Sequence, residues 1–258
     1  MTHWRALETG ARPGAWNMAV DAALLTEVER GASPPTIRFY AWNPPAVSIG
    51  FHQLDPAPAE AARIAALGLE WVRRPTGGRA VYHGPRATEL TYAVVARLGA
   101  AGMPAAPGDC YRLVHTAIAD GLARMGAPVQ LAGRRRTILR PAGRQACFAA
   151  SVPGEIVAEG RKLVGSAQRR SRRAFLQHGS IPLAGDQSAL AAIWPGSLDP
   201  NRATTVSAAA GRAIGFDELA HAVAAAFEIA IGHTLVPGTF TPDEERRFDA
   251  RSSEPAVA

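Results

Sequence analysis

Apolar residues follow two kinds of spacing along the chain, one typical of amphipathic helices and one typical of strands. Residues 109–125 and 216–231 place apolar side chains three and four positions apart, which predicts helices. A helix is also predicted over 15–29, with Asn17 as its N-cap and Asp21 in its first turn, and a short one over 58–67. Strands are predicted at 36–42, 46–51, 69–74, 79–83, 88–95, 146–150, 155–158, 162–168 and 175–183.

The order of these elements indicates the fold class. Strands outnumber helices and follow one another in runs, which favours an α+β fold with a mixed, mostly antiparallel sheet over a doubly wound parallel one. No repeat or interdomain linker is visible, so one domain is predicted over residues 1–251, followed by a disordered tail at 252–258. The basic, Gly- and Pro-containing segment 133–144 is predicted to be an exposed loop.

Composition excludes several classes of protein. The chain has 258 residues, of which 47% are apolar and 19% charged, a balance that rules out global disorder. No apolar run approaches the roughly 18 residues of a membrane span, and the first residues lack a signal-peptide pattern. Two cysteines without metal-site spacing do not form a disulfide framework, so a cytoplasmic protein with reduced thiols is expected.

The basic residues are almost all arginine. The formal net charge is +6, which favours acidic partners, and of 28 basic side chains only Lys162 is a lysine. An ammonium group has a tunable pKa and a compact donor geometry that guanidinium lacks. Lys162 is therefore either a candidate for chemistry or a surface lysine that survived by chance.

A glycine-rich segment, 73–83, is the first candidate site. Paired glycines at Gly77 and Gly78 allow a ligand to approach the backbone closely, and Arg73 and Arg74 could hold a phosphate or carboxylate. The alternative is a tight hairpin with a solvated basic face. The segment matches neither a P-loop nor a dinucleotide fingerprint.

A second candidate site extends from Cys147 to Gly179. A thiolate accepts acyl groups, and an ammonium nearby lowers the pKa of a thiol from about 8.5 toward neutrality. A turn at 159–160 could return Lys162 to the side of Cys147, where Lys162 could also donate to a thioester carbonyl. The alternative for Cys147 is a small buried apolar residue, and Cys110, near a helix start, is expected to be structural.

Two histidines, His83 and His178, lie beside Gly-rich strand ends, either as site residues or as hydrogen-bonded structural histidines. No pair of histidines has helical metal-ligand spacing, so no metal is predicted.

Taken together, these segments resemble the lipoate–protein ligase/octanoyltransferase family of the biotin–lipoyl ligase superfamily. The resemblance is closest to the octanoyltransferase branch, in which a cysteine shortly precedes a Gly-Arg-Lys strand. An ordered set of motifs is more specific than any one of them. The matching segments are 17–21, 48–53, 73–83, 89–92, 147–148, 160–168 and 177–180.

The resemblance implies an α+β catalytic domain with a large mixed sheet, a smaller second sheet and flanking helices. It implies transfer of an octanoyl group from octanoyl-acyl carrier protein to Cys147, and then to a lysine of a lipoyl domain or of glycine-cleavage H protein. Lys162 would lower the pKa of Cys147 and bind the carbonyl. Both partners are acidic in relatives, and no cofactor, nucleic acid or membrane is implied. The substrate-binding residues would be Arg74, Gly77, Gly78, Val81, His83, Gly165, Ser166, Ala167, His178 and Gly179.

Three alternatives remain at this point. An ATP-dependent lipoate–protein ligase would use Lys162 on an adenylate and would need no cysteine. An amidotransferase would move the acyl group between lipoyl domains. A non-catalytic acyl- or nucleic-acid-binding protein would use the arginine runs 134–136 and 169–173, although no aromatic residues interleave them as a stacking surface requires.

Overall fold

A computed structural model describes residues 3–133, 154–197 and 199–252. Cys147, the predicted strand 146–150 and most of segment 133–144 lie outside the described residues. The helices are α1 (Gly14–Arg30), α2 (Pro58–Ala66), α3 (Pro107–Arg124), α4 (Ser188–Ile193), α5 (Val206–Ala210), α6 (Phe216–Ile231) and α7 (Pro242–Ser252). The strands are β1 (Trp4–Arg12), β2 (Thr36–Trp42), β3 (Ala46–Ile49), β4 (Glu70–Arg73), β5 (Val81–His83), β6 (Glu89–Arg97), β7 (Val129–Leu131), β8 (Ile156–Ala158), β9 (Arg161–Lys162), β10 (Gly165–Arg170), β11 (Ala174–Pro182) and β12 (Leu235–Pro237).

A six-stranded sheet forms the centre of the fold, with the strand order β10-β11-β6-β2-β1-β12. Three of its five strand pairings are antiparallel, and the two that involve β1 are parallel. The sheet is therefore mixed and mostly antiparallel, which confirms the predicted fold class.

Helices cover both faces of this sheet, because side chains alternate between the two faces of each strand. In β2, Ile37 and Phe39 pack toward α3 and α6, whereas Tyr40 and Trp42 pack toward α1. Helix α7 packs on α1, with Phe248 buried in the same core. One apolar core thus lies on each side of the central sheet.

Two smaller three-stranded sheets accompany the central one, where the sequence predicted a single second sheet. One has the order β4-β3-β5 and the other β7-β8-β9. Strands β4 and β5 pair with opposite edges of β3, β4 in parallel and β5 antiparallel. The alternative of a tight hairpin in segment 73–83 is therefore wrong: the glycine loop at residues 74–80 crosses from one edge of β3 to the other.

The predicted turn at Glu159 and Gly160 is confirmed. Val157 pairs with Lys162 and Ala158 with Arg161, so β8 and β9 form a hairpin with a two-residue loop. Both turn residues have positive φ, 50° and 74°, as a type I′ turn requires. The hairpin places Lys162 in the short strand β9, directly opposite Val157.

Several elements escaped prediction, and one predicted role is wrong. β1, β7, β12, α4, α5 and α7 were not predicted. Asn17 is not the N-cap of α1, because the helix begins at Gly14 after Pro13. Asn17 lies within the helix, and its side chain is fully buried in the protein. Asp21 likewise lies beyond the first turn, fully buried. Ser252, the first residue of the predicted tail, ends α7.

Among the described helices, none combines the length and the apolar character that crossing a membrane requires.

Candidate active site

An apolar cavity lies between the edge of the central sheet and the β4-β3-β5 sheet. It contains about 400 Å³ of empty space, including its open mouth. Aliphatic and aromatic groups dominate the walls, and several polar side chains reach them. The described lining is Met18, Tyr40, Trp42, Ser48, Arg74, Gly78, Val81, His83, Thr91, Gly165, Ser166, Ala167, His178, Gly179 and Ser180.

Most of the residues that the resemblance marked as substrate-binding meet at this cavity. The lining includes Arg74, Gly78, Val81, His83, Gly165, Ser166, Ala167, His178 and Gly179. Gly77 and Lys162 are not in the described lining, although Lys162 precedes Gly165 by only three residues. Segments far apart in the chain thus form one cavity.

His178 is held in one orientation by a buried network. Its Nδ1 lies 2.8 Å from Asp21 Oδ2, and its Nε2 lies 2.6 Å from Thr76 Oγ1. Burial is the largest influence on the pKa of His178 and lowers it, Asp21 raises it, and the net shift is downward, so the imidazole is neutral at pH 7. A carboxylate accepts only, so Nδ1 donates to Asp21, and Nε2 accepts from the Thr76 hydroxyl. His178 therefore fixes the glycine loop, through Thr76, to the central sheet.

Asp21 is the centre of this network. Arg38 Nη1 donates to Asp21 Oδ1 at 2.7 Å, and the Tyr40 hydroxyl donates to Oδ2 at 2.9 Å. Burial raises the pKa of Asp21, but Arg38 and His178 together lower it by more, so the net shift is downward. Asn17 completes the group, because its Oδ1 accepts from Arg38 at 2.6 Å. These buried groups are therefore joined by hydrogen bonds to Tyr40 and His178, which line the cavity.

His83 lies in a second, similar arrangement. Its Nδ1 is 2.8 Å from Glu89 Oε1, its Nε2 is 2.8 Å from Ser48 Oγ, and its ring stacks on Trp42 with centroids 3.9 Å apart. Arg74 also donates to Ser48 Oγ, at 3.1 Å, so this hydroxyl joins Arg74 to His83. Both histidines considered from the sequence are thus hydrogen-bonded to carboxylates and also line the cavity.

The glycine loop makes an unusually close approach to the end of β3. A Cβ atom added at Gly50 would lie 2.1 Å from the Gly78 carbonyl oxygen, so only glycine fits at this position. Arg74 lies against the loop and donates to the carbonyls of Gly77 and Arg79 at 2.9 and 2.7 Å. The neighbouring Arg73 also donates to backbone, to the carbonyls of Gly50 and Gln53.

Lys162, the single lysine of the chain, forms a buried ion pair. Its Nζ lies 2.6 Å from Glu155 Oε1, and the side chains are only 2% and 5% exposed. Burying a charge is costly unless an opposite charge compensates it, so Glu155 is what allows an ammonium at this place. The interpretation of Lys162 as a surviving surface lysine is wrong. Its distance to Cys147 falls outside the described residues.

Cys110 has the structural role expected from the sequence. Its sulfur lies 3.1 Å from the Pro104 carbonyl, and burial raises the pKa of its thiol to about 11. A thiol with this pKa is a poor nucleophile near neutral pH.

A further buried histidine, His115 of α3, lies close to the Lys162–Glu155 pair. Its Nδ1 is 2.6 Å from the carbonyl of Gly154, the residue before Glu155. Burial, and to a smaller extent the charge of Lys162, lower its pKa to about 4, although the Gly154 hydrogen bond acts in the opposite direction. His115 is therefore neutral at pH 7 and donates from Nδ1 to the carbonyl.

We expect His115 to make stability pH-dependent. The unfolded chain binds a proton near pH 6.5 and the folded chain only near pH 4, so this contribution is present above pH 6.5 and lost as pH falls. At pH 5 the loss amounts to about 2 kcal/mol. His115→Asn keeps a donor for Gly154 but does not titrate. Urea unfolding at pH 7 and pH 5 should show a smaller acid-induced loss in this variant, and an equal loss would contradict the assignment.

Sequence reasoning missed the polar groups that organise the site. Asp21, Arg38, Ser48, Glu89 and Glu155 were not singled out as site residues. A signal existed for two of them: Asn17 and Asp21 are four apart on an otherwise apolar helix, and Arg38 interrupts an apolar strand. Glu155 carried no signal, because its partnership with Lys162 depends on the β8–β9 hairpin.

Comparisons with known proteins agree with this geometry. Residues 13–228 match the family model described as the lipoyl protein ligase A/B catalytic domain. The chain is 41% identical to octanoyltransferase LipM of Symbiobacterium thermophilum, over 95% of this chain and 92% of that one. It is 39% identical to octanoyltransferase LipM of Kyrpidia tusciae, over 95% and 93% of the two chains.

Solved structures share the fold. A crystal structure of lipoate-protein ligase A bound with ATP superposes with a TM-score of 0.80 at 21% identity, covering 99% of this chain and 96% of that one. A bi-partite lipoate protein ligase from Thermoplasma acidophilum gives a TM-score of 0.73 at 20% identity, covering 100% and 95%. The family match and the extent of identity lead to one conclusion: this chain belongs to the lipoyl protein ligase A/B catalytic domain family.

Proposed function

We propose that this protein transfers an octanoyl group from octanoyl-acyl carrier protein to a specific lysine of a lipoyl domain or of H protein, through a thioester on Cys147. The observation that carries the proposal is the identity of 41% to an octanoyltransferase along nearly the whole chain. The apolar cavity supports it, because its walls suit an aliphatic acyl chain.

The proposed reaction has two balanced steps. The Cys147 thiolate attacks the carbonyl carbon of the octanoyl thioester, and the carrier thiol leaves with a proton. The amine of the acceptor lysine then attacks the octanoyl-cysteine, which forms the amide and returns the Cys147 thiol. Both steps exchange one acyl bond for another, so no ATP is consumed.

Lys162 has two roles in this scheme. Its ammonium stabilises the Cys147 thiolate, and it donates to the thioester carbonyl while negative charge develops there. Glu155 keeps this ammonium charged and oriented, at 2.6 Å from Nζ. In a buried setting such a preorganised donor contributes more than it would in water.

The cavity residues would bind the acyl chain. Small side chains leave room for it at Gly78, Val81, Ala167 and Gly179. His178 and His83 lie in the cavity walls, where each is hydrogen-bonded to a carboxylate. Gly77 is not among the residues described as lining the cavity, and it would contribute through the backbone of the glycine loop. Arg74 shapes the loop by its bonds to the carbonyls of Gly77 and Arg79.

An assay of octanoyl transfer with and without ATP tests this function. With octanoyl carrier protein and a lipoyl domain, the purified protein should form the octanoyl-lysine amide at full rate without ATP. Free octanoate should not be used, with or without ATP. A strict requirement for ATP with free octanoate or lipoate would instead identify a ligase, which the comparisons with octanoyltransferases do not favour.

A further inference from the structure

An exposed cluster of arginines occupies the end of β10 and the turn that connects it to β11. We call Arg169, Arg170, Arg172 and Arg173 the arginine hairpin. All four are exposed, and a tight turn projects them, in which the Ser171 amide donates to the Ala174 carbonyl at 2.8 Å. Such a concentration of one charge on a short turn is unusual for a surface that serves solubility alone.

The charges of the arginine hairpin are not neutralised within the described ranges. None of its guanidinium groups forms an ion pair with a described carboxylate. The Glu29 carboxylate accepts from the backbone amide of Arg173 at 3.2 Å. Arg169 bonds the Pro75 carbonyl at 3.3 Å and lies 5.5 Å from the centre of the Phe51 ring. The hairpin thus presents net positive charge to a partner.

A cleft beside the arginine hairpin shares part of its lining with the acyl cavity. Arg169 and Phe51 line the cleft, and Met18 and Arg74 line both the cleft and the cavity. Its charged groups are mostly basic, with Asp55 as the acid. Beside it, Phe51 and Leu54 are 50% and 81% exposed, so the surface also offers apolar contacts.

The strands of the hairpin themselves lead to the cavity. Arg170 follows Ala167, a cavity residue, by three positions, which corresponds to roughly 10 Å along an extended strand. A lysine side chain spans only about 6 Å from Cα to Nζ, judged from its bond lengths. A partner seated on the arginines therefore reaches the cavity more easily with a long thiol arm than with a lysine.

We propose that the arginine hairpin, with exposed Phe51 and Leu54, is the docking surface for the acidic carrier protein that delivers octanoyl on a long thioester arm. This proposal rests on the proposed function and adds the place and chemistry of donor recognition. Exposed charges of this kind act mainly on encounter rate and on salt dependence.

The test compares two triple variants of equal charge. R170S/R172S/R173S removes three charges from the hairpin and leaves Arg169 in place. R124S/R212S/R246S removes three exposed arginines elsewhere. Transfer is measured with octanoyl carrier protein and with octanoyl-N-acetylcysteamine, a small uncharged thioester.

The hairpin variant should raise KM for octanoyl carrier protein about tenfold and weaken its salt dependence. Its rate with the small thioester and its KM for the lipoyl domain should stay unchanged, as should all parameters of the control variant. An unchanged KM for the carrier protein, an equal effect in the control, or a rise only in KM for the lipoyl domain would overturn the proposal. Salt-sensitive binding of unrelated DNA that the hairpin variant loses, with carrier kinetics intact, would also overturn it.

The proposed function fails in a different way. If the unmodified protein transfers octanoyl from neither donor, the function is wrong and the docking proposal falls with it. If the small thioester is used and the hairpin variant behaves like the control with carrier protein, only the docking proposal is wrong.

Discussion

Cys147→Ala is expected to abolish octanoyl transfer, with a fall in rate of at least about three orders of magnitude. The reason is that alanine cannot accept the acyl group, and the other cysteine, Cys110, is buried with its thiol pKa raised to about 11. The measurement is the initial rate of octanoyl-lysine formation on a lipoyl domain, with octanoyl carrier protein as donor.

The matched control is Cys110→Ala. It removes the second thiol of the chain and should retain transfer, apart from a moderate loss of stability for the emptied core position. Transfer by Cys147→Ala at a rate near that of the unmodified protein would show that the acyl group does not pass through this residue.

Lys162→Met is expected to have the second largest effect, on stability as well as on activity. It leaves the Glu155 carboxylate buried without its ammonium partner, which costs about 3–5 kcal/mol of unfolding free energy. It also removes the cation that stabilises the Cys147 thiolate, so the pH midpoint of thiol alkylation should rise. Urea unfolding and iodoacetamide kinetics measure the two effects.

A double variant separates these effects. Lys162→Met with Glu155→Gln removes both charges, so most of the lost stability should return while transfer stays slow. Arg161→Met on the same hairpin is the control, because the Arg161–Glu159 pair is exposed and contributes less than about 1 kcal/mol. Full recovery of transfer in the double variant would contradict the role of Lys162.

Elements with strong periodicity could be predicted from the sequence to the residue. β2 and α6 have the predicted bounds, because each packs a mostly apolar pattern against the core. β1 could not be predicted in the same way, since a register shift between Glu8 and Ala11 breaks its alternation. α7 is mostly charged, and tertiary contacts stabilise it: Phe248 packs on Trp16, and Glu244 binds Arg5 at 2.8 Å.

The sequence motifs of the site could be predicted, but the buried polar residues that hold them in place could not. The glycine loop, His178 and the β10 residues carry recognisable patterns, and nine of the ten predicted substrate-binding residues line one cavity. The groups that hold them are single polar residues in apolar segments, such as Asp21 and Arg38, 2.7 Å apart. Their pairing depends on how α1 packs on β2, which no local pattern specifies.

The proposed mechanism requires that octanoyl resides on Cys147 as a thioester. The unmodified protein is incubated with octanoyl carrier protein, without acceptor or ATP, and digested with trypsin. Cleavage after Arg144 and Arg161 isolates a peptide of residues 145–161 that contains Cys147 and no lysine. One octanoyl group should be found on this peptide, removable by neutral hydroxylamine and discharged by a lipoyl domain. Octanoyl on Lys162 or on the Cys110 peptide, or no labelled peptide at all, would contradict the account.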